Sequence, residues 1–194
     1  MRTAEITRKT SETSIALKLN IDGTGERTID TGIGFFDHML DLFARHGLLD
    51  LTLAVKGDLN VDEHHTIEDT GIALGEAFAA AVGDKAGICR YATEFVPMDE
   101  ALAMVNVDFS GRALLQYSVM CPDETVGGVP SQMFEEFFRA FATAAKITLH
   151  ISSLYGVNTH HIIEGVFKAT ARALRFALES DPRSTAIPST KGVL

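Results

Sequence analysis

Histidines are where chemistry would concentrate in this chain, because neutral imidazole is the commonest protein ligand for transition metals. Four of the seven histidines form two doublets inside one recurring motif. The copies are His64-His65-Thr66-Ile67-Glu68 and His160-His161-Ile162-Ile163-Glu164. In each copy a His and a Glu stand four residues apart, which places both on one face of a helix. Such a pair can chelate one ion, as in helical zinc motifs. The adjacent histidines, His65 and His161, point about 100° away and would strain to reach the same ion. The simplest use of two doublets is therefore two metal ions. His38 and His150 are the available donors to complete the shells. Six histidines and two carboxylates would supply four ligands per ion, leaving an octahedral ion open positions for substrate. Nitrogen-rich octahedral sites with carboxylate suit Mn²⁺, Fe²⁺ or Co²⁺ better than Mg²⁺.

The competing reading makes the doublets solvated helix starts. Helical geometry separates the two. With His160 at 0°, Glu164 falls at about 40° and Lys168 at about 80°. Ile163, Val166, Phe167, Thr170, Ala173, Leu174 and Ala177 fall between about 220° and 340°. The His/Glu face and the apolar stripe are different faces, and His64, Glu68 and His65 stand apart from Ile67, Leu74, Phe78 and Ala81 in the same way.

The elements that must position these residues are themselves repeated. A shift of 96 positions carries His64 onto His160 and Glu68 onto Glu164 without a gap. It also carries Asp62 onto Asn158, both good helix N-caps. Upstream, a shift of 88 carries Glu12, Ile15, Leu17, Leu19, Ile21 and Gly23 onto Glu100, Ala103, Val105, Val107, Phe109 and Gly111. Both stretches alternate with period two and then turn, as half-buried strands entering hairpins do. Phe35-Phe36 and Phe137-Phe138 open two more helical patterns, 102 apart. The chain thus reads as two diverged copies of one β-β-α-β-α unit, residues 1–85 and 86–180, forming one compact α+β body. Leu51–Lys56 and Ile147–Ser152 are the short strands, and two helices cover one face of each sheet. The tail, 181–194, is rich in Pro, Ser and Thr and reads as a loop.

Composition bounds the function. There are 17 Lys+Arg against 26 Asp+Glu, a net charge of −9, which argues against a nucleic-acid protein. No apolar run approaches the roughly 20 residues of a membrane span. The N-terminus lacks an apolar signal region, and two cysteines make no disulfide framework, so a cytoplasmic location is expected. Cys89 reads as a small buried residue. No Gly-rich phosphate loop supports a Rossmann or P-loop fold.

Beyond these patterns, the sequence resembles the imidazoleglycerol-phosphate dehydratase family over essentially its whole length. The matching motifs are Ser11-Glu12-Thr13, Thr31-Gly32-Ile33-Gly34-Phe35-Phe36-Asp37-His38-Met39-Leu40, both His-His motifs, Pro97-Met98-Asp99-Glu100-Ala101, Ser110-Gly111-Arg112, Thr148-Leu149-His150, Phe167-Lys168-Ala169 and Pro188-Ser189-Thr190-Lys191-Gly192. Two departures stand out: Gln132 lies where many relatives have Glu, and Ala92 follows Tyr91 where Gly is usual. The resemblance implies a duplicated fold of the ribosomal protein S5 domain 2 type. It implies dehydration of D-erythro-imidazole-glycerol phosphate to imidazole-acetol phosphate in histidine biosynthesis, by a monofunctional hydro-lyase. It also implies two Mn²⁺ per active site and a homo-oligomeric shell of 24 subunits with sites where subunits meet.

On that reading the substrate's imidazole ring relays electrons, expelling the C3 hydroxyl before a base removes the C2 proton. Glu12 is the candidate acid/base, near the pKa range an enzyme can tune, and its repeat mate Glu100 is a weaker one. The eight proposed metal ligands are His38, His64, His65, Glu68, His150, His160, His161 and Glu164. Phosphate needs cations and hydroxyl donors. Arg90, Arg112, Lys168, Ser189 and Lys191 fit, with Thr190 beside them, and the tail would then contribute to the substrate site. His46, before Gly47, fits a helix C-terminal end, and the resemblance makes it a substrate contact. Two other classes remain open: a binuclear metallohydrolase of a phosphate ester, and a metal-stapled structural shell. Lys168, Arg172 and Arg175 on the metal face favour an anionic ligand over a pure staple.

Overall fold

A computed structural model describes residues 1–194. The first half runs β1 (Thr3–Lys9), β2 (Thr13–Asn20), β3 (Arg27–Asp30), α1 (Gly34–Gly47), β4 (Asp50–Gly57) and α2 (His64–Val82). The second runs β5 (Tyr91–Met98), β6 (Ala101–Asp108), β7 (Leu114–Ser118), the short pair β8 (Thr125–Val126) and β9 (Val129–Pro130), α3 (Met133–Ala145), β10 (Thr148–Tyr155) and α4 (Thr159–Leu178). The sheet orders are β1-β2-β4-β3 and β5-β6-β10-β7, the same topology twice. The expected duplicated α+β fold is therefore present.

Each main sheet holds one more strand than the sequence pattern suggests. β3 pairs parallel with β4, and β7 with β10, so α1 and α3 are crossover helices. β3 is four residues long with no buried position, and it leaves too little alternation to detect. The β8–β9 hairpin lies in the β7–α3 connection, where the first half has only residues 31–33 between β3 and α1. That insertion widens the spacing from 88 at β2 and β6 to 98 at β4 and β10 and at the left-handed helix ends Leu48 and Lys146, so Phe36 corresponds to Phe134 and the expected match of Phe35-Phe36 with Phe137-Phe138 is one turn out of register.

Strand alternation sets the layers. On β2 the inward Ile15, Leu17 and Leu19 are buried while Ser14, Ala16 and Lys18 are exposed. The four helices fill the space between the sheets: α2 lies on β1 and β2, α4 on β5 and β6, and the halves meet where α1 packs on α4 and α2 on α3. One continuous cluster of 46 buried residues spans both halves, so neither half has a core of its own.

Two glycines set the α2–α3 distance. A Cβ on Gly75 would sit 2.6 Å from the Phe141 carbonyl oxygen and 2.7 Å from Ala144 Cβ, and one on Gly71 would sit 2.6 Å from the Phe137 carbonyl oxygen. At the end of α1 the left-handed residue is Leu48 (φ 53°), not Gly47. Gly47 instead admits the Leu49 side chain, whose Cγ would lie 3.0 Å from an added Cβ.

Gly75→Ala tests the helix packing. Helix propensity would favour alanine by about 1 kcal/mol, whereas overpacking costs about 1–3 kcal/mol. The thermal midpoint should therefore fall, as measured by circular dichroism. A midpoint at or above that of the unsubstituted protein would show that backbone approach does not set this spacing.

Candidate active site

The eight proposed metal ligands and Glu12 fall into three places in a single chain. The first is the start of α4. Asn158, in extended conformation, caps the helix, and its side chain accepts from the backbone N–H groups of His160 (2.9 Å) and His161 (3.3 Å). That cap fixes both histidines in the first turn. His160 Nε2 lies 3.1 Å from Glu164 Oε2, as the i, i+4 spacing requires, and His38 reaches the same oxygen from α1 at 3.6 Å. The donor atoms of His38, His160 and Glu164 all lie within 4.8 Å of one another. The His160 ring is also held edge-on by Phe35, with centroids 5.2 Å apart.

Two imidazoles and a buried carboxylate form a donor set suited to a divalent transition metal. Glu164 is 6% exposed, more enclosed than a polar helix face suggests, because α4 is covered by α1 as well as by β5 and β6. Burial pushes the Glu164 carboxyl up, but hydrogen bonds from Lys168 and His160 outweigh it and hold it below the usual range. Lys168 donates to Glu164 Oε1. Of the other cations expected on this face, Arg172 is paired with Glu94 at 2.8 Å and Arg175 lies 3.9 Å from Glu179. Only Lys168 belongs to the donor cluster. His46 lies near it. Burial, then the charges of Lys168, Arg172 and Arg45, hold its pKa below the ordinary value.

The second place is the start of α2. His64 N–H donates to Asp62 Oδ1 at 2.9 Å, although the residue flanking the helix is Glu63. His64 lies 3.6 Å from Glu68. His65 turns away, with Nδ1 3.0 Å from Asp58 and Nε2 3.8 Å from Glu12 at the β1–β2 turn. The Asp58 hydrogen bond raises the His65 pKa. In the repeat the second histidine again stands beside the turn glutamate, but by its other nitrogen: His161 Nδ1 lies 2.6 Å from Glu100 and Nε2 3.7 Å from Asp99. The two glutamates nevertheless differ. Glu100 accepts from the Val157 and Asn158 N–H groups as well as pairing with His161. These bonds hold its pKa at about 2, with the His161 bond the largest cause. Glu12 has no such bonds, and its side chain is 48% exposed.

The third place is the outer side of the second sheet, with the tail. Arg90, Arg112, Ser189, Thr190 and Lys191 line one cleft of about 710 Å³. The predicted phosphate residues Arg90, before β5, and Arg112, in the β6–β7 turn, thus meet those of the tail, whereas Lys168 and His46 lie with the α4 cluster. Arg90 is buried and adopts φ 74°. Its guanidinium donates to Asp108 (2.8 Å) and to the Pro188 carbonyl (2.7 Å), which ties the tail to the sheet. Arg112 remains largely exposed. His150 projects from β10 onto the solvent side, between buried Leu149 and Ile151. It lines a neighbouring groove with Tyr91, Asn106 and Asp108, on the sheet face opposite the helices that carry the other ligands.

Sequence reasoning missed Asp58, Asp69 and Asp108, which hold His65, the β1–β2 turn and Arg90 respectively. Asp69 adjoins the first His-His motif, and its repeat position, Gly165, marks it as a difference between the halves. Cys89 is exposed rather than buried, because it falls in the bridge-and-loop segment before β5. Ala92 sits within β5 opposite Val107, where no glycine is needed. Gln132 precedes α3 and makes no side-chain cap.

Comparisons with known proteins place the chain in a family. The family model for imidazoleglycerol-phosphate dehydratase matches residues 31–174. The imidazoleglycerol-phosphate dehydratase of Caldanaerobacter subterraneus subsp. tengcongensis is 59% identical over 194 residues, covering 100% of both chains. That of Gluconacetobacter diazotrophicus is 58% identical, covering 100% of this chain and 98% of its own. Among solved structures, the enzyme from Staphylococcus aureus superposes with a TM-score of 0.84 at 39% identity, covering 92% of this chain and 99% of that one. The Pyrococcus furiosus enzyme, solved in complex with (S)-C348, gives 0.80 at 33% identity, covering 97% and 100%. The chain belongs to the imidazoleglycerol-phosphate dehydratase family.

Proposed function

We propose that the chain is a hydro-lyase that converts D-erythro-imidazole-glycerol phosphate to imidazole-acetol phosphate in histidine biosynthesis. We place it in the cytoplasm; no helix is long and apolar enough to cross a membrane. The observation that carries the reading is the pairing of a His/Glu donor set with a separate cationic cleft lined by Arg112, Ser189, Thr190 and Lys191. An imidazole and a phosphate on one substrate ask for those two environments. The family match supplies the reaction.

The donor groups are divided among three places, and His150 faces away from the rest. This division supports active sites completed by neighbouring subunits in a homo-oligomer, which we take to have 24 copies. Two Mn²⁺ per site fit the donors: His38, His160 and Glu164 in one place, His64 and Glu68 in another, and His65, His161 and His150 supplied across subunit contacts. Bound Mn²⁺ would lower the proton affinity of the substrate's imidazole ring. Arg112, Lys191 and the tail hydroxyls would hold the phosphate, with Arg90 fixing the tail beneath them. Lys168 and His46 would meet polar groups of the substrate near the α4 cluster. Glu12 would move the proton, because its carboxylate is uncommitted while that of Glu100 is occupied by three donors.

Two outcomes follow. Glu12→Gln should keep Mn²⁺ and substrate affinity while kcat falls by about 10²–10⁴-fold, the worth of a positioned acid/base. Metal analysis, calorimetry and turnover on one preparation measure this, with a generic phosphomonoester as the control for hydrolase activity. A kcat within about threefold of the unsubstituted enzyme contradicts the role, since the effect demanded is far larger. Secondly, EDTA should dissociate the assembly to smaller oligomers, and Mn²⁺ should restore it, as followed by light scattering. An unchanged mass after complete metal removal contradicts metal sites at subunit contacts.

A further inference from the structure

The two halves differ beneath the two glutamates. In the first half Asp69 on α2 is buried, 7% exposed, and carries an ion pair with Arg8 of β1 at 2.8 Å. It also accepts a short hydrogen bond from the Thr13 hydroxyl. In the second half the corresponding residues are Gly165, Val96 and Ala101. There the helix simply lies close to the strands: a Cβ on Gly165 would sit 3.5 Å from Ala103 Cβ and 3.7 Å from the Val96 carbonyl oxygen. The fold is thus made without the polar set, and a partly buried ion pair adds little stability over apolar packing.

The hydrogen bonds around Asp69 form a chain with only one consistent direction. A carboxylate accepts only, so the Thr13 hydroxyl must donate to Asp69. The Thr10 hydroxyl, 3.2 Å away, then donates to Thr13. Its lone pairs are left to accept from the backbone N–H groups of Glu12 (3.1 Å) and Thr13 (2.9 Å). The chain runs from α2, beside the first His-His motif, to the backbone of Glu12. Glu100 needs no such support, because its own carboxylate is tied to Val157, Asn158 and His161. A side chain that must stay free to exchange a proton has to be positioned through its backbone instead.

We propose that the Asp69–Thr13–Thr10 chain is a positioning device, present in one half only, that fixes the Glu12 turn against α2 while leaving the Glu12 carboxylate free. The proposal rests on Glu12 being the acid/base, as inferred above. Asp69, Thr13 and Thr10 are positioning residues, not catalytic ones.

The test uses the Mn²⁺-loaded assembly and imidazole-glycerol phosphate. Thr13→Val removes the hydroxyl at nearly constant shape, Thr13→Ser keeps it, and Asp69→Asn removes the charge. Thr13→Val and Asp69→Asn should each lower kcat about 10- to 100-fold, the scale of a misplaced reacting group. KM should stay within about twofold and metal content unchanged, since neither residue contributes to uniform binding. Thr13→Ser should retain kcat to within about threefold. In metal-free protein, amide exchange across residues 10–13 should quicken in Thr13→Val, as local opening becomes easier. In a Glu12→Gln background, Thr13→Val should have no further effect on kcat, because residues acting as one unit are not additive. If Asp69→Asn fails to fold, the Thr13 pair decides alone. Unchanged kcat in Thr13→Val, or an equal loss with and without Glu12, overturns the positioning role while leaving Glu12 in place. Full activity in Glu12→Gln alone overturns the acid/base reading and this device with it.

Discussion

Each half of the molecule needs the other to cover its helices. Phe36, Phe43 and Phe78 come from the first half and Phe134, Phe137, Phe138, Phe141 and Phe167 from the second, and all are fully buried. Their contacts cross between halves: Phe36 meets Phe137 at 5.3 Å, and Phe78 and Phe43 meet Phe141 at 5.3 and 6.2 Å. Burying each such ring is worth about 1.5–3 kcal/mol. The same union that closes the core lays α1 on α4, so His38 from one half reaches Glu164 from the other. The first donor cluster is a product of core packing and could not exist in an isolated half.

Duplication then supplied two of everything, and divergence divided the work. Both halves keep a helix starting with His-His and a turn glutamate beside the second histidine. In the second half that glutamate closes onto the N-terminal end of α4 and becomes part of the scaffold. In the first half the turn is held by its backbone and the carboxylate stays uncommitted. The cationic cleft belongs to the second half alone, where Arg90 clamps the tail and Arg112 stands exposed. Asymmetry at these few positions, on a symmetric frame, lets one set of histidines face different tasks.

Much of this was legible in the sequence because repetition multiplies weak signals. One His-His-x-x-Glu could be a solvated helix start; two at a fixed shift, both off the apolar stripe, point to a shared task. The helices and the long strands followed from period, and the inward residues of β2 and β6 alternate as expected. β3 escaped because a four-residue edge strand with one half-buried residue, Ile29, leaves too little alternation to detect. The left-handed Leu48 and Arg90 escaped because their backbones are set by tertiary contacts, with no glycine to announce them. The burial of Glu164 depends on a second helix covering α4, which a single-helix projection does not contain. Asp58, Asp69 and Asp108 were invisible as partners because pairing across elements has no sequence spacing.

If active sites are completed by neighbouring subunits, no single chain carries a complete site. Mixed assemblies test it most directly. His160→Ala removes a donor from the α4 cluster, and Arg112→Ala removes a cation from the tail cleft; each should inactivate the enzyme alone. The two variants, differently tagged, would be combined by metal removal and Mn²⁺ reassembly, and particles carrying both tags isolated. If the cluster of one subunit faces the cleft of another, about a quarter of the sites in a randomly mixed symmetric assembly are intact, and activity returns to that level. Doubly tagged particles as inactive as either variant alone would contradict the account.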